Sequence, residues 1–136
     1  MVEENKMQVC KITLTTTVDG TETQIVKTGY ASLSPLRSVV AYQEENAAIT
    51  LIFEKGNVKL ERRGDYELFL LLEQDKLSTG EIGLGGALGK LQAHTHKISY
   101  SVGKASLLAL LHYDLLFGDE RQEMKLRVYV SEIKHI

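Results

Sequence analysis

The sequence predicts an all-β fold: a single antiparallel up-and-down β-barrel of about 8–10 strands, filling one domain over residues 1–136. Three observations point to it. Apolar and polar residues alternate along most of the chain, which suits strands with one buried face. Turn pairs such as Asp19-Gly20, Lys55-Gly56, Gly103-Lys104 and Gly118-Asp119 recur about every dozen residues. No segment combines a helical period with caps; Ser106 to Leu116 is the best helical candidate, and its place between two turns favours a strand. A meander closed on itself also removes exposed strand edges.

The elements follow in order. Met7 to Val18 reads as a strand with Ile12 and Leu14 on one face, and Asp19-Gly20 is a strong hairpin signal because both turn residues tolerate positive φ. A two-residue turn there sets Leu14 opposite Ile25, which keeps the apolar faces in register through Thr23 to Leu33. The only proline, Pro35, sits in the next turn. Ser38 to Glu44 is a third strand. Ala48 to Glu54 and Asn57 to Arg62 form a hairpin that matches Phe53 with Val58 and Leu51 with Leu60. Tyr66 to Glu73, Gly89 to Val102, Ala105 to Phe117 and Gln122 to Ile133 complete the set. The glycine-rich stretch Gly80 to Gly89 reads as a bulged, sharply bent or mobile strand at a barrel corner. It is no phosphate loop, since neither Gly-Lys-Ser/Thr nor a helix follows it.

Composition narrows the function classes. Hydrophobic residues make up 43% and charged residues 25%, an ordinary globular balance. A net charge of −2 argues against a nucleic-acid binder that works by bulk electrostatics and against a polybasic membrane-surface protein. A single cysteine, Cys10, rules out an intrachain disulfide, and its alternation with Ile12 and Leu14 predicts a buried, inert thiol. No apolar run reaches the roughly 20 residues of a membrane span, and the acidic N-terminus lacks a signal core. The expectation is a cytoplasmic protein whose residues 1–6 form a flexible tail.

Few residues suggest chemistry. His94 and His96 sit two apart on a strand and so share a face, where a third ligand from the next strand would complete a metal site. The candidate third ligand is His112 on the next strand, and register decides whether it shares that face. A two-residue turn at Gly103-Lys104 places His94 opposite Tyr113 and turns both histidines inward, leaving Lys97, His112 and Asp114 outside with only water as partner. A one-residue bulge would instead bring His112 to the face of the two histidines. Solvated or hydrogen-bonded histidines are expected over a metal, so neither a metal nor a cofactor is assigned. Arg62 follows the inward phase of Ile49 and needs an anionic partner or ligand, or else reaches water from its strand end. His135 is expected to be exposed or disordered. No hydrolase motif or acidic calcium loop is present, carboxylate pairs such as Glu44-Glu45 fall at turns, and no catalytic residue is assigned.

Several short motifs occur in a suggestive order: Thr28-Gly29-Tyr30, Val40-Ala41-Tyr42-Gln43-Glu44, Arg62-Arg63-Gly64, Gly89-Lys90-Leu91, Thr95-His96-Lys97 and Tyr113-Asp114-Leu115. In that order and spacing the chain resembles the YwiB-like family of small, uncharacterised bacterial proteins over roughly Lys11 to Val130. It departs from the family where Leu84 to Leu88 precede Gly89. The resemblance implies a closed, calycin-type barrel like those of lipocalins, with no assigned activity and no functional residue to carry over.

The function expected from these readings is non-enzymatic binding of a small, partly apolar or anionic molecule inside the barrel. Its candidate lining residues are Tyr30, Tyr42, Arg62, His94, His96 and Tyr113. A filled interior would defeat that reading. The alternatives are an interaction module, such as a homodimer, using the outer surface or a strand edge, and an enzyme or metal site built on His94 and His96.

Overall fold

The computed structural model describes residues 7–133. The expected tail at residues 1–6 and the expectation for His135 lie outside the described residues. Within them the chain forms β1 (Gln8–Val18), β2 (Thr21–Ser32), β3 (Arg37–Glu44), β4 (Ala47–Glu54) and β5 (Asn57–Gly64). It continues through β6 (Glu67–Glu73), β7 (Leu77–Leu84), β8 (Ala87–Val102), β9 (Ser106–Phe117) and β10 (Glu120–Glu132). Each strand pairs antiparallel with the next, and β10 returns to β1 along Cys10–Glu132 to Val18–Met124, closing a ten-stranded up-and-down barrel. No helix among the described residues is long and apolar enough to cross a membrane.

Alternation sets the registers. Leu14 pairs with Ile25, Phe53 with Val58 and Leu51 with Leu60, as the patterning predicts. The Ser106 to Leu116 segment is strand, because every second residue from Leu107 to Leu115 is needed in the core. The glycine-rich stretch differs from expectation. It is a regular hairpin in which Gly83 pairs with Leu88 and Leu84 with Ala87. Gly85 and Gly86, at φ of 58° and 84°, form the tight turn that a side chain would disfavour. The stretch thus contributes a separate strand, β7, starting at Leu77, and β8 begins at Ala87 rather than Gly89.

The interior is unevenly filled. Toward the end holding the β4–β5, β6–β7 and β8–β9 turns, Cys10, Ile12, Val40, Phe53, Val58, Leu72, Leu107, Val128 and Val130 are all buried and form a solid plug. Cys10 is a buried free thiol, and burial pushes its pKa up, with the Glu132 charge adding to the rise. Toward the opposite end the core opens.

Candidate functional site

The open end holds a cavity of about 560 Å³. Its wall is mostly aliphatic, from Ile49, Leu60, Leu68, Leu70, Ile82 and Leu115, with Tyr42, Glu44, Arg62, Tyr113 and Gln122 as polar groups. Divergence of β2 from β3 helps to open it. Their ladder covers only Tyr30–Ala41, Ala31–Val40 and Ser32–Val39, so β2 runs free of β3 toward this end. The rim is apolar: Leu84, 65% exposed at the end of β7, and the partly exposed Phe117 at the end of β9 both line the mouth.

The polar groups of the wall have identifiable partners. Ile49 pairs with Arg62, which carries the arginine inward as the β4–β5 phase predicts. Its side chain is only 11% exposed; it meets Asp65 at 2.7 Å, donates from Nη1 to the Tyr66 carbonyl at 2.7 Å, and stacks 3.6 Å over the Tyr66 ring. The Arg62 hydrogen bond holds the exposed Asp65 carboxyl below the usual range. Tyr42 and Tyr113 are buried. Burial pushes the Tyr113 phenol up to about 12, and it pushes Tyr42 higher still, with the Glu44 charge and Tyr113 adding to the shift. Both phenols are therefore neutral hydrogen-bonding groups at neutral pH.

The histidines are not in this cavity, contrary to the inward expectation for His94 and His96. The β8–β9 connection is longer than two residues: Gly103 N–H donates to the Ser106 carbonyl, and Val102 pairs with Leu107. That shift of two positions preserves facing, so Ile98, Tyr100 and Val102 stay with the inner face. A bulge between Thr95 and Lys97 then reverses it. Below the bulge Thr95 pairs with Tyr113 inside, whereas His94 pairs with Asp114 outside. The backbone of Thr95 turns from β9 to the β6–β7 connection, bonding to Asp75 and Lys76. Tyr30 is likewise outside, 55% exposed, because its neighbours Gly29 and Ala31 take the inner positions of β2. Of the six candidate lining residues, Tyr42, Arg62 and Tyr113 come together in the cavity; Tyr30, His94 and His96 do not.

Outside, the bulge gathers a second group. The His94 and His96 rings lie 4.6 Å apart, and the His96 and His112 rings 4.8 Å apart. His96 Nε2 is 2.8 Å from Asp114 Oδ2, which also accepts from Arg121 at 2.7 Å, and His112 Nε2 is 3.2 Å from Glu123. The expectation that His112 and Asp114 need only water is corrected here: the Asp114 side chain is 4% exposed and fully engaged on one oxygen. Burial pushes its carboxyl up, yet the His96 and Arg121 hydrogen bonds outweigh burial and hold it below the usual range. Glu123 and Arg121 escaped notice because their roles depend on the β9–β10 register, which places Glu123 opposite Asp114.

No protein-family model matches the chain, and no curated protein matches it. The fold is similar to that of the ywiB protein from Bacillus subtilis, known from a crystal structure. The two chains are 13% identical, 94% of each is covered, and the TM-score is 0.81. At that identity the likeness shows the fold alone.

Proposed function

We propose that the protein binds a small amphipathic molecule in the open half of its barrel, as a YwiB-like, calycin-type binding protein. One observation carries this reading: a cavity of about 560 Å³ faces one barrel mouth while the other half of the interior is solid. Ligand pockets are typically concave, mainly apolar and furnished with a few polar groups that fix orientation. Here aliphatic side chains would receive the apolar body of the ligand. The neutral phenols of Tyr42 and Tyr113 and the guanidinium of Arg62 would meet its polar end. The apolar rim at Leu84 and Phe117 offers a route of entry.

Titration with a fluorescent fatty-acid analogue tests the reading. Saturable binding at one equivalent is expected, abolished by Leu68→Trp, which fills the cavity, and weakened by Arg62→Met for an anionic probe. An absence of saturable binding, or equal binding by L68W, rejects it. Native mass spectrometry of protein purified from its host would then report the mass of the natural ligand.

A second reading, self-association through a strand edge, draws on the β2–β3 divergence, which leaves backbone groups of β2 before Tyr30 without a β3 partner. Sedimentation at several concentrations separates the two: a monomer throughout removes the edge-pairing reading.

A further inference from the structure

The cluster on the outer wall lies across the sheet from the cavity and owes nothing to it. We propose that His94, His96 and Asp114 form a binding site for one divalent transition-metal ion such as Zn²⁺ or Co²⁺.

Geometry is the first support. One donor atom from each of the three residues lies within 4.8 Å of the others. Tetrahedral ligands about 2.0–2.2 Å from a zinc ion are separated by roughly 3.4 Å, so small side-chain rotations suffice. Two imidazoles and one carboxylate also match the preference of zinc, cobalt and nickel rather than calcium or magnesium. Three protein ligands leave a position for water.

The second support is independent of donor count. Asp114 Oδ1 is buried and has no hydrogen-bond partner, although the carboxylate is almost wholly withdrawn from water. An unpaired buried carboxylate oxygen is costly, and a cation beside it removes the cost. Arg121 meets only Oδ2 and is 64% exposed, so it can swing into solvent when an ion arrives.

The third is the bulge itself. In a regular ladder His94 and His96 would both project from one face, opposite alternate residues of β9. The extra residue instead sets His96 beside Asp114 while His94 stands directly opposite it, which converges all three. Bulges that re-aim a side chain in this way are frequent beside functional sites. His112, Asp114 and Glu123 make a second group of the same size. Its imidazole lies between Lys97 and Lys125 in the ladder, which disfavours a cation there.

The test uses full-length protein stripped with a chelator, then titrated with Co²⁺ by visible absorption and with Zn²⁺ by calorimetry. One equivalent should bind, with the d–d absorption expected of nitrogen and oxygen ligands. His94→Ala, an exposed change that leaves the fold intact, and His96→Ala should each weaken binding about tenfold or more. Asp114→Asn should do the same, with circular dichroism confirming its fold. Arg121→Ala should tighten binding by removing a competing cation. Failure of both ions to bind at one equivalent overturns the proposal. So does binding that survives H94A and H96A, or binding that His112→Ala abolishes while H94A does not.

Discussion

His96 Nε2 lies 2.8 Å from Asp114 Oδ2 at the single irregularity in the β8–β9 ladder, where one histidine is left without an opposite residue. The carboxylate is buried and its other partner, Arg121, is largely in water. The two ends of this ion pair should therefore differ in worth. Asp114→Asn is expected to cost about 1–3 kcal/mol, because it weakens charge-assisted hydrogen bonds at a buried position. Arg121→Ala is expected to cost less than about 1 kcal/mol, as exposed partners generally do. Urea denaturation of the metal-free variants checks the order, and a larger loss for R121A would refute it.

The two halves of the interior should respond differently to truncation. Phe53 is fully buried in the plug, and Phe53→Ala should cost about 3–5 kcal/mol by leaving an enclosed void. Leu68 is only partly buried and faces a space that is already open. Leu68→Ala should cost less than about 1.5 kcal/mol, because little new cavity is created. Equal losses in guanidinium denaturation would mean that the cavity closes in solution.

Most of the architecture was legible because local rules agreed. Asp19-Gly20 and Lys55-Gly56 fixed two hairpins, and alternation then set the Leu14–Ile25 and Phe53–Val58 pairs without knowledge of the rest. Arg62 was legible for the same reason: its inward phase followed from Ile49. The histidine site was not. A bulge at His96 follows from where the Thr95 backbone finds its partners, on the distant Asp75 and Lys76, and no pattern within β8 announces it. Since strand facing has period two, the one extra residue sent His94 from the inner to the outer face. Asp114 illustrates a further limit: a charged residue in an outward phase is expected to be solvated, and only neighbouring strands reveal that it is covered.

Gly29 should tolerate no side chain. A Cβ there would meet the Ala41 carbonyl oxygen and approach Ile12 Cδ1 to 2.7 Å, one residue beyond the last β2–β3 pair. Gly29→Ala is expected to cost about 1–3 kcal/mol through overpacking. Gly89→Ala is the control, since its nearest neighbour would be Ile82 Cγ2 at 3.4 Å, an ordinary contact. It should be neutral or stabilise by about 0.5 kcal/mol through reduced freedom of the unfolded chain. Thermal unfolding of both variants tests the contrast, which fails if G89A proves the more damaging.

Alkaline pH should destabilise the barrel through its buried phenols. Tyr113 titrates at about 12 in the folded protein against 10.0 ordinarily, so the folded state holds its proton more tightly. The stability this contributes is complete below pH 10 and is lost as pH rises through 12. Two pH units correspond to about 3 kcal/mol. Tyr42 is shifted in the same direction and should steepen the loss. Tyr113→Phe removes one of the two groups, so its stability should fall more gently across that window than that of the parent protein. Denaturant unfolding at a series of pH values, with tyrosinate absorbance followed in parallel, measures both slopes. A ligand seated against the phenols would exclude water further and move tyrosinate formation to still higher pH. Identical slopes for Y113F and the parent would show that Tyr113 reaches solvent freely, and would place the polar end of the cavity in water rather than behind its apolar rim.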